Sequence, residues 1–220
     1  MNKKAIIERA TKLYAAAFSD ASDAVGLTQV CMDSRIAPVT KNTRAVGFAR
    51  TAKMVRSAVQ IPYDEVHLET FMSLGTQARK DDVLVMNAAG ATDCSVWGNV
   101  ITKISLAHGI RGAVLEGTTR DVDEIDKMGF PVFALARHPG TMRARLDIES
   151  VGEPIVCGGV LVHTGDLIFG DGDGVVVIPQ ARIEDVLVHA EEVAATDTWW
   201  AKQLDEGKDP LELHKQRPIP

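Results

Sequence analysis

Apolar residues recur at three- and four-residue intervals along the start of the chain: Ile6, Ile7, Ala10, Leu13, Tyr14, Ala17 and Phe18, with Glu8, Arg9 and Lys12 between them. This spacing predicts an amphipathic helix over 3–18. Ser19-Asp20 and Ser22-Asp23 then offer N-cap residues for a short second helix that Gly26 ends. The stretch Val46-Gly47-Phe48-Ala49-Arg50-Thr51 alternates as a strand does. A glycine inside it marks a bulge or the close approach of another backbone. Ile61 to Gly75 reads as a helix, and Asp82-Val83-Leu84-Val85-Met86-Asn87 as a strand.

In the middle of the chain, Trp97-Gly98-Asn99-Val100 opens a helix that passes through Ile101 and Ile104 to a turn at Gly109 to Gly112. Ala113-Val114-Leu115 follows as a strand, and Gly117-Thr118-Thr119-Arg120-Asp121 as a second junction from loop to helix. Pro131-Val132-Phe133-Ala134-Leu135 is a further strand, before an Arg-rich polar loop from Arg137 to Arg145. Three short apolar runs come next, Ile155-Val156-Cys157, Val160-Leu161-Val162 and Gly174-Val175-Val176-Val177-Ile178, separated by glycine turns. Gly170-Asp171-Gly172-Asp173 among these turns lacks the spacing and closing Glu of an EF-hand, and reads as a tight hairpin rather than a calcium loop. A long helix runs from Ala181 to Trp200, and Asp209-Pro210-Leu211 begins a short capped one. The order predicts one mixed α/β domain over 1–220: an N-terminal helix 3–18, a core from about 22 to 180 and C-terminal helices from about 181 to 215.

Charge and composition narrow the function. A formal net charge of -6 argues against a general nucleic-acid binder, which needs a basic face. Cys31, Cys94 and Cys157 are odd in number and far apart, without a CxxC pair, so neither a disulfide framework nor a zinc knuckle is indicated. Met1-Asn2-Lys3-Lys4 begins like a secretory leader, but Glu8, Arg9 and Lys12 interrupt what would be its apolar region. No window approaches the roughly 20 apolar residues of a membrane span. The expectation is a cytoplasmic protein with reduced thiols and no membrane partner.

The candidate chemistry lies at the two glycine-led junctions. Helix N-termini carry unpaired N–H groups and partial positive charge, so each could hold an anion. The second adds the Arg120 guanidinium, which grips carboxylates with two parallel bonds, and the Asp121 carboxylate, which suits a hard cation. Together they suggest a site for the acid end of a small 2-oxo acid beside a divalent metal. Plainer roles exist for the same residues. Thr118 and Asp121 stand at capping-box spacing, Asn99 is a good N-cap, and Lys103 fits an ordinary surface lysine better than a Schiff-base one. The histidines show no HxH or HExxH spacing; His108 fits a helix C-terminus, and His138 and His163 are loop residues that could support a site. Trp199-Trp200 suits packing or a subunit contact.

Taken in order, several segments resemble the regulator of ribonuclease E activity A-like family, which includes 4-hydroxy-4-methyl-2-oxoglutarate / 4-carboxy-4-hydroxy-2-oxoadipate aldolases. The likeness runs from about Ser22 to Leu211. It rests on Ser22-Asp23-Ala24, Gly47-Phe48-Ala49-Arg50-Thr51, Asp82-Val83-Leu84-Val85, Gly98-Asn99-Val100 and Gly109-Ile110-Arg111-Gly112. It continues in Gly117-Thr118-Thr119-Arg120-Asp121, Phe130-Pro131-Val132-Phe133-Ala134, Gly165-Asp166 and Asp173-Gly174-Val175-Val176-Val177-Ile178-Pro179. The resemblance implies an α/β/β/α sandwich that assembles as a homotrimer or a dimer of trimers, with sites between subunits. It implies that Arg120 binds the pyruvyl part of the substrate, that Asp121 holds Mg2+ or Mn2+ largely through waters, and that backbone amides of Gly98, Asn99, Val100 and Ile101 bind the carboxylate. The family's usual motif places an acid where this chain has Asn99, a departure expected to weaken metal binding, alter substrate choice, or both. A glutamate from a neighbouring subunit's C-terminal region contributes in some members; Glu191, Glu192 and Asp197 all lie nearby in this chain, and the role is assigned to none of them.

The expectation is therefore a divalent-metal-dependent lyase that cleaves 4-hydroxy-2-oxo acids to pyruvate and decarboxylates oxaloacetate, since both reactions pass through pyruvate enolate. Arg143 or Arg145 would help draw in the polyanionic substrate. The alternatives are a non-catalytic regulator that binds ribonuclease E, and a same-fold enzyme with other chemistry on another carboxylic acid. A methyltransferase is disfavoured, because no glycine-rich nucleotide loop followed by an acidic strand end is present.

Overall fold

The computed structural model describes residues 2–57, 74 and 77–218. Two helices, α1 (Lys3–Ala10) and α2 (Ala15–Ala24), stand where the periodicity predicted one over 3–18. The break has a physical cause. The Arg44 guanidinium donates to Leu13 O at 2.6 Å and to Thr11 O at 3.3 Å, so carbonyls that leave the helical ladder keep hydrogen bonds. Asp171 Oδ2 accepts from Ala15 N at 2.9 Å and caps α2 from far along the chain. Ser19, Asp20, Ser22 and Asp23 consequently lie inside α2 rather than ahead of a separate helix.

The remaining elements are β1 (Ala37–Pro38), β2 (Ala45–Arg56), β3 (Asp82–Asn87), β4 (Ser95–Trp97), α3 (Asn99–Ala107), β5 (Gly112–Thr119), α4 (Val122–Lys127) and β6 (Val132–Arg137). They continue with β7 (Leu146–Val151), β8 (Ile155–Cys157), β9 (Val160–Val162), β10 (Leu167–Asp171), β11 (Gly174–Ile178), α5 (Ile183–Asp205) and α6 (Pro210–Gln216). The long C-terminal helix thus runs past Trp200 to Asp205. Asp209 caps α6 by accepting from Leu211 N at 2.8 Å. The helix expected between Ile61 and Gly75 lies outside the described residues, Leu74 excepted. No helix among the described residues is long and apolar enough to cross a membrane.

Among the described residues nine strands form one sheet in the order β1-β6-β5-β3-β2-β10-β11, with β4 beside β5 and β7 beside β2. Strands β2, β3, β5 and β6 run parallel, while β10 and β11 form an antiparallel hairpin whose turn pairs Asp171 with Gly174. The sheet curls almost into a closed ring. Val177 N donates to Val30 O and Met32 N to Val175 O, so the 30–32 segment pairs along β11 and then leads into β1 on the opposite edge. Closure of this kind leaves little bare strand edge.

The curl creates three buried layers. Val83, Val85, Val114, Phe133, Ile168 and Val177 face inward, where the β8–β9 hairpin fills the interior with Ile155, Cys157, Val160 and Val162. Leu84, Met86 and Leu115 point outward beneath Trp97, Ile101 of α3 and Ile125 of α4. Phe48, Phe169, Val176 and Ile178 point outward beneath α1, α2 and α5. Helices on both outer faces of a folded sheet make the α/β/β/α sandwich that the resemblance implied. Gly47 is where another backbone comes close: a Cβ there would lie 2.5 Å from Asp81 O, at the entry to β3.

Candidate active site

Strands β4 and β5 pair in parallel, Ser95 with Thr118 and Trp97 with Thr119. Their carboxyl ends therefore leave the sheet side by side, one into Gly98 and α3, the other into Arg120-Asp121 and α4. A bond from Arg120 N to Trp97 O at 3.0 Å joins the two exits. A crevice outside the carboxyl ends of parallel strands is where open α/β sheets place ligands.

Gly98 occupies the N-cap position of α3 with φ of -166°, an extended conformation open to any residue. Space is the reason for the glycine, since a Cβ would lie 2.7 Å from Asp121 Oδ2 and 3.3 Å from Arg120 Cγ. Asn99 is the first helical residue and does not cap the helix with its side chain. Its backbone N–H donates instead to Asp121 Oδ2 at 3.1 Å. Thr102 N donates to Gly98 O at 3.2 Å. The N–H groups of Val100 and Ile101 have no hydrogen-bond partner among the described residues, which leaves two donors at a helix N-terminus for an anion.

Asp121 has φ of +57°, in the left-handed region that aspartate tolerates better than most residues. Its carboxylate does not cap α4, and Thr118 belongs to β5, where its hydroxyl donates to Cys94 O at 2.8 Å. The capping-box reading is thereby overturned: Thr118 still pairs within the sheet, and the N-cap position of α4 falls three residues later, at Asp121 itself. Asp121 Oδ2 also lies 3.7 Å from Arg120 Nε, with both side chains partly exposed.

Residues 95–101, Arg120, Asp121 and 141–143 line a cavity of about 140 Å³. Gly98, Asn99, Val100, Ile101, Arg120 and Asp121 all line it. The loop carrying Thr141, Met142 and Arg143 is the wall that the sequence reading lacked. It is pinned to β4 by Ser95 N to Gly140 O, Met142 N to Ser95 O, and the Ser95 hydroxyl to His138 O. Of the two steering candidates Arg143 lines the cavity, whereas Arg145 braces the loop through Thr141 O and Arg143 O. A second, more open hollow of about 510 Å³ shares Arg120 and Asp121 and is bounded by Arg137 and His138.

Other candidates lie elsewhere. Lys103 is exposed on α3 and does not line the cavity. His163 sits 3.7 Å from buried Asp166, and His108 closes α3 with its ring against Ile104 O. Glu191 is held by Arg9 of α1 and Asp197 by the Tyr14 hydroxyl just ahead of α2, so these two acids tie the N-terminal segment to α5, while Glu192 pairs with His189 of its own helix. Trp200 is buried and donates to Arg217 O, a packing role.

Asp121 is the lone carboxylate lining the smaller cavity, and its Oδ1 has no partner among the described residues. No cluster of three or more His, Cys, Asp or Glu suited to a metal occurs among them. That donor set fails zinc, which takes three or four protein ligands. It suits Mg2+ or Mn2+, hard ions that keep several waters and need one or two carboxylates.

The family model described as RraA-like, Aldolase/RraA, matches residues 15–177 of the chain. A protein of Halalkalibacterium halodurans with the provisional name 4-hydroxy-4-methyl-2-oxoglutarate aldolase is 34% identical over 179 residues, covering 81% of this chain and 79% of that one. The crystal structure of an uncharacterized protein from Pseudomonas syringae pv. tomato superposes with a TM-score of 0.87 at 27% identity, over 97% of this chain and 94% of that chain. A Streptomyces coelicolor member of the RNase ES inhibitor RraA family shares the fold, with a TM-score of 0.78 at 20% identity, over 90% of this chain and 97% of that one.

Proposed function

The chain belongs to the RraA-like family, Aldolase/RraA, and on that premise we propose that it is a divalent-metal-dependent lyase releasing pyruvate from 4-hydroxy-2-oxo acids and decarboxylating oxaloacetate. The observation that carries this reading is the meeting of two unpartnered helix N–H groups, a guanidinium and a carboxylate with a spare oxygen around one small cavity. The name of the Halalkalibacterium halodurans relative supports an aldolase-type lyase.

In the retro-aldol reaction the C4 hydroxyl passes its proton to a water and becomes the carbonyl of the departing fragment as the C3–C4 bond breaks. The electron pair moves to C3 and on to the 2-oxo oxygen, giving pyruvate enolate, which takes a proton at C3. Loss of CO2 from oxaloacetate yields the same enolate. The N–H groups of Val100 and Ile101 hold the substrate carboxylate, and Arg120 faces the oxygen on which negative charge grows. A donor aimed at developing charge is worth on the order of 10²–10³ in rate. Asp121 and waters would seat Mg2+ or Mn2+, which supplies Lewis-acid polarisation of the 2-oxo oxygen. Asn99 lines the same cavity and adds no charge, which adjusts substrate or metal preference. Assembly as a homotrimer or dimer of trimers goes with this reading; exposed Val156 and Leu161, paired in the β8–β9 hairpin, are candidates for burial between copies.

Pyruvate release from oxaloacetate and from 4-hydroxy-4-methyl-2-oxoglutarate, with Mg2+, Mn2+ or a chelator, tests the proposal. Turnover that needs the metal is expected. Turnover that survives chelation removes the metal, and inertness toward both acids together with inhibition of ribonuclease E would install the regulator instead.

A further inference from the structure

The Gly98–Asn99 peptide group is gripped at both ends. Its N–H side is held by Asp121 Oδ2, as described. Its carbonyl receives two bonds from one residue: the Thr102 hydroxyl at 2.9 Å and the Thr102 N–H at 3.2 Å. The Thr102 hydroxyl in turn accepts from Trp97 Nε1 at 2.8 Å. An indole N–H can only donate, so the hydroxyl must accept there and is left to point its own proton at Gly98 O. Trp97 itself is fixed by stacking on Phe130, with ring centroids 5.9 Å apart and planes 10° from parallel. Thr102 is fully buried and Trp97 nearly so, so water does not compete for these bonds.

We infer that Thr102 is a positioning residue for anion binding, acting through the Gly98 carbonyl and oriented by Trp97. The plane of the Gly98–Asn99 peptide sets the direction of the helix start, and with it the aim of the unpartnered Val100 and Ile101 N–H groups. Asp121 can fix one end of that plane but not its rotation about the held N–H. On the carbonyl side the Thr102 N–H and hydroxyl together supply the second point, the hydroxyl bond being the shorter and the one whose direction Trp97 sets. Position 102 touches no ligand, since it does not line the cavity, so its effect is on geometry alone. This inference rests on the proposed use of those two N–H groups for a substrate carboxylate.

The test compares Thr102→Val, which keeps the shape and loses the hydroxyl, with Thr102→Ser, which keeps the hydroxyl. Trp97→Phe keeps an aromatic stack and loses the indole donor. Melting curves establish that each variant is folded, and oxalate, a planar dicarboxylate, serves as a binding probe in calorimetry. For Thr102→Val the KM for oxaloacetate and the Kd for oxalate should rise about tenfold, with kcat within about twofold, as for loss of an interaction made equally in ground and transition states. Thr102→Ser should restore both, and Trp97→Phe should fall between. A folded Thr102→Val or Trp97→Phe protein with wild-type KM and oxalate affinity overturns the inference while leaving the lyase intact. A wild-type protein that turns over no 2-oxo acid but binds oxalate removes the lyase, and the oxalate comparison still decides the role of Thr102. Absence of both turnover and oxalate binding removes both.

Discussion

The backbone N–H of Asn99 and the carboxylate of Asp121 are joined by a 3.1 Å bond that ties the start of one helix to the loop before the next. Asp121 thereby has a structural use that must be separated from its charge. Asp121→Asn does so: the amide oxygen can still accept from Asn99, and asparagine tolerates the left-handed backbone. The variant should melt within about 2 °C of the parent, since a surface change of this kind costs within about 0.5 kcal/mol. Its metal-dependent turnover should fall by about 100-fold or more, because a Lewis acid supplies several kcal/mol of charge stabilisation. Full activity in the amide variant, measured with saturating Mn2+, would dismiss Asp121 as the seat of the cation.

Asn99 can be tested in the opposite direction. Its side chain lines the cavity beside Asp121 and has no partner among the described residues. Asn99→Asp would set two carboxylates around one hollow, a pair that repels until a cation arrives. Mn2+ should bind about tenfold more tightly to the variant, as added ligand charge generally tightens hard-ion sites. The apo protein should melt lower than the parent and the Mn2+-loaded one should not. Equal Mn2+ affinity by calorimetry would mean that the Asn99 side chain turns away from the ion.

A methyl group at position 98 probes how finely the cavity is set. Because the backbone of Gly98 is extended, Gly98→Ala introduces no dihedral strain, only a Cβ 2.7 Å from Asp121 Oδ2. Those carboxylate atoms can swing aside, so the protein should fold. The carboxylate would then stand about 1 Å out of place, and displacements of that size cost about 100-fold in rate. Circular dichroism with steady-state kinetics checks this, and an active Gly98→Ala enzyme contradicts the drawn geometry.

Much of this arrangement was legible in the sequence, and the parts that were not share a cause. Asp82 to Asn87 and Gly174 to Ile178 announced themselves as apolar runs because their strands are buried on both faces. Ser95–Trp97 is too short to show a period, and Leu146–Val151 is a partly exposed strand beside β2 in which Asp147, Glu149 and Ser150 break up any apolar run. The helix over 3–18 was misjudged because its break is made by Arg44 and Asp171, which no local window contains. Gly98 and Arg120-Asp121 were singled out from local chemistry. What brings them together is the pairing of β4 with β5, and that hidden strand also explains why Thr141 to Arg143 were missed as a wall.

Stability should depend on pH through the contact between α1 and α5. Arg9 donates to both oxygens of Glu191 at 2.7 and 2.9 Å and to Glu184 at 2.6 Å. The hydrogen bonds from Arg9 hold the Glu191 carboxyl below its ordinary range, with burial opposing them. A carboxyl whose folded value is depressed releases its proton more readily folded than unfolded. Its contribution is therefore complete above the unfolded value, about 4.3, and is lost as pH falls below that and through the depressed folded value. The pair is substantially exposed, so the contribution belongs with surface bridges of about 0.2–1 kcal/mol. Glu191→Gln should then lower the melting temperature by about 1–3 °C at pH 7. The deficit should shrink as the parent is titrated below about pH 4 and close once its own Glu191 is protonated. Melting curves of the two proteins across that range decide the matter: a deficit that stays constant with pH would assign the effect to packing around Arg9 and not to the charge on Glu191.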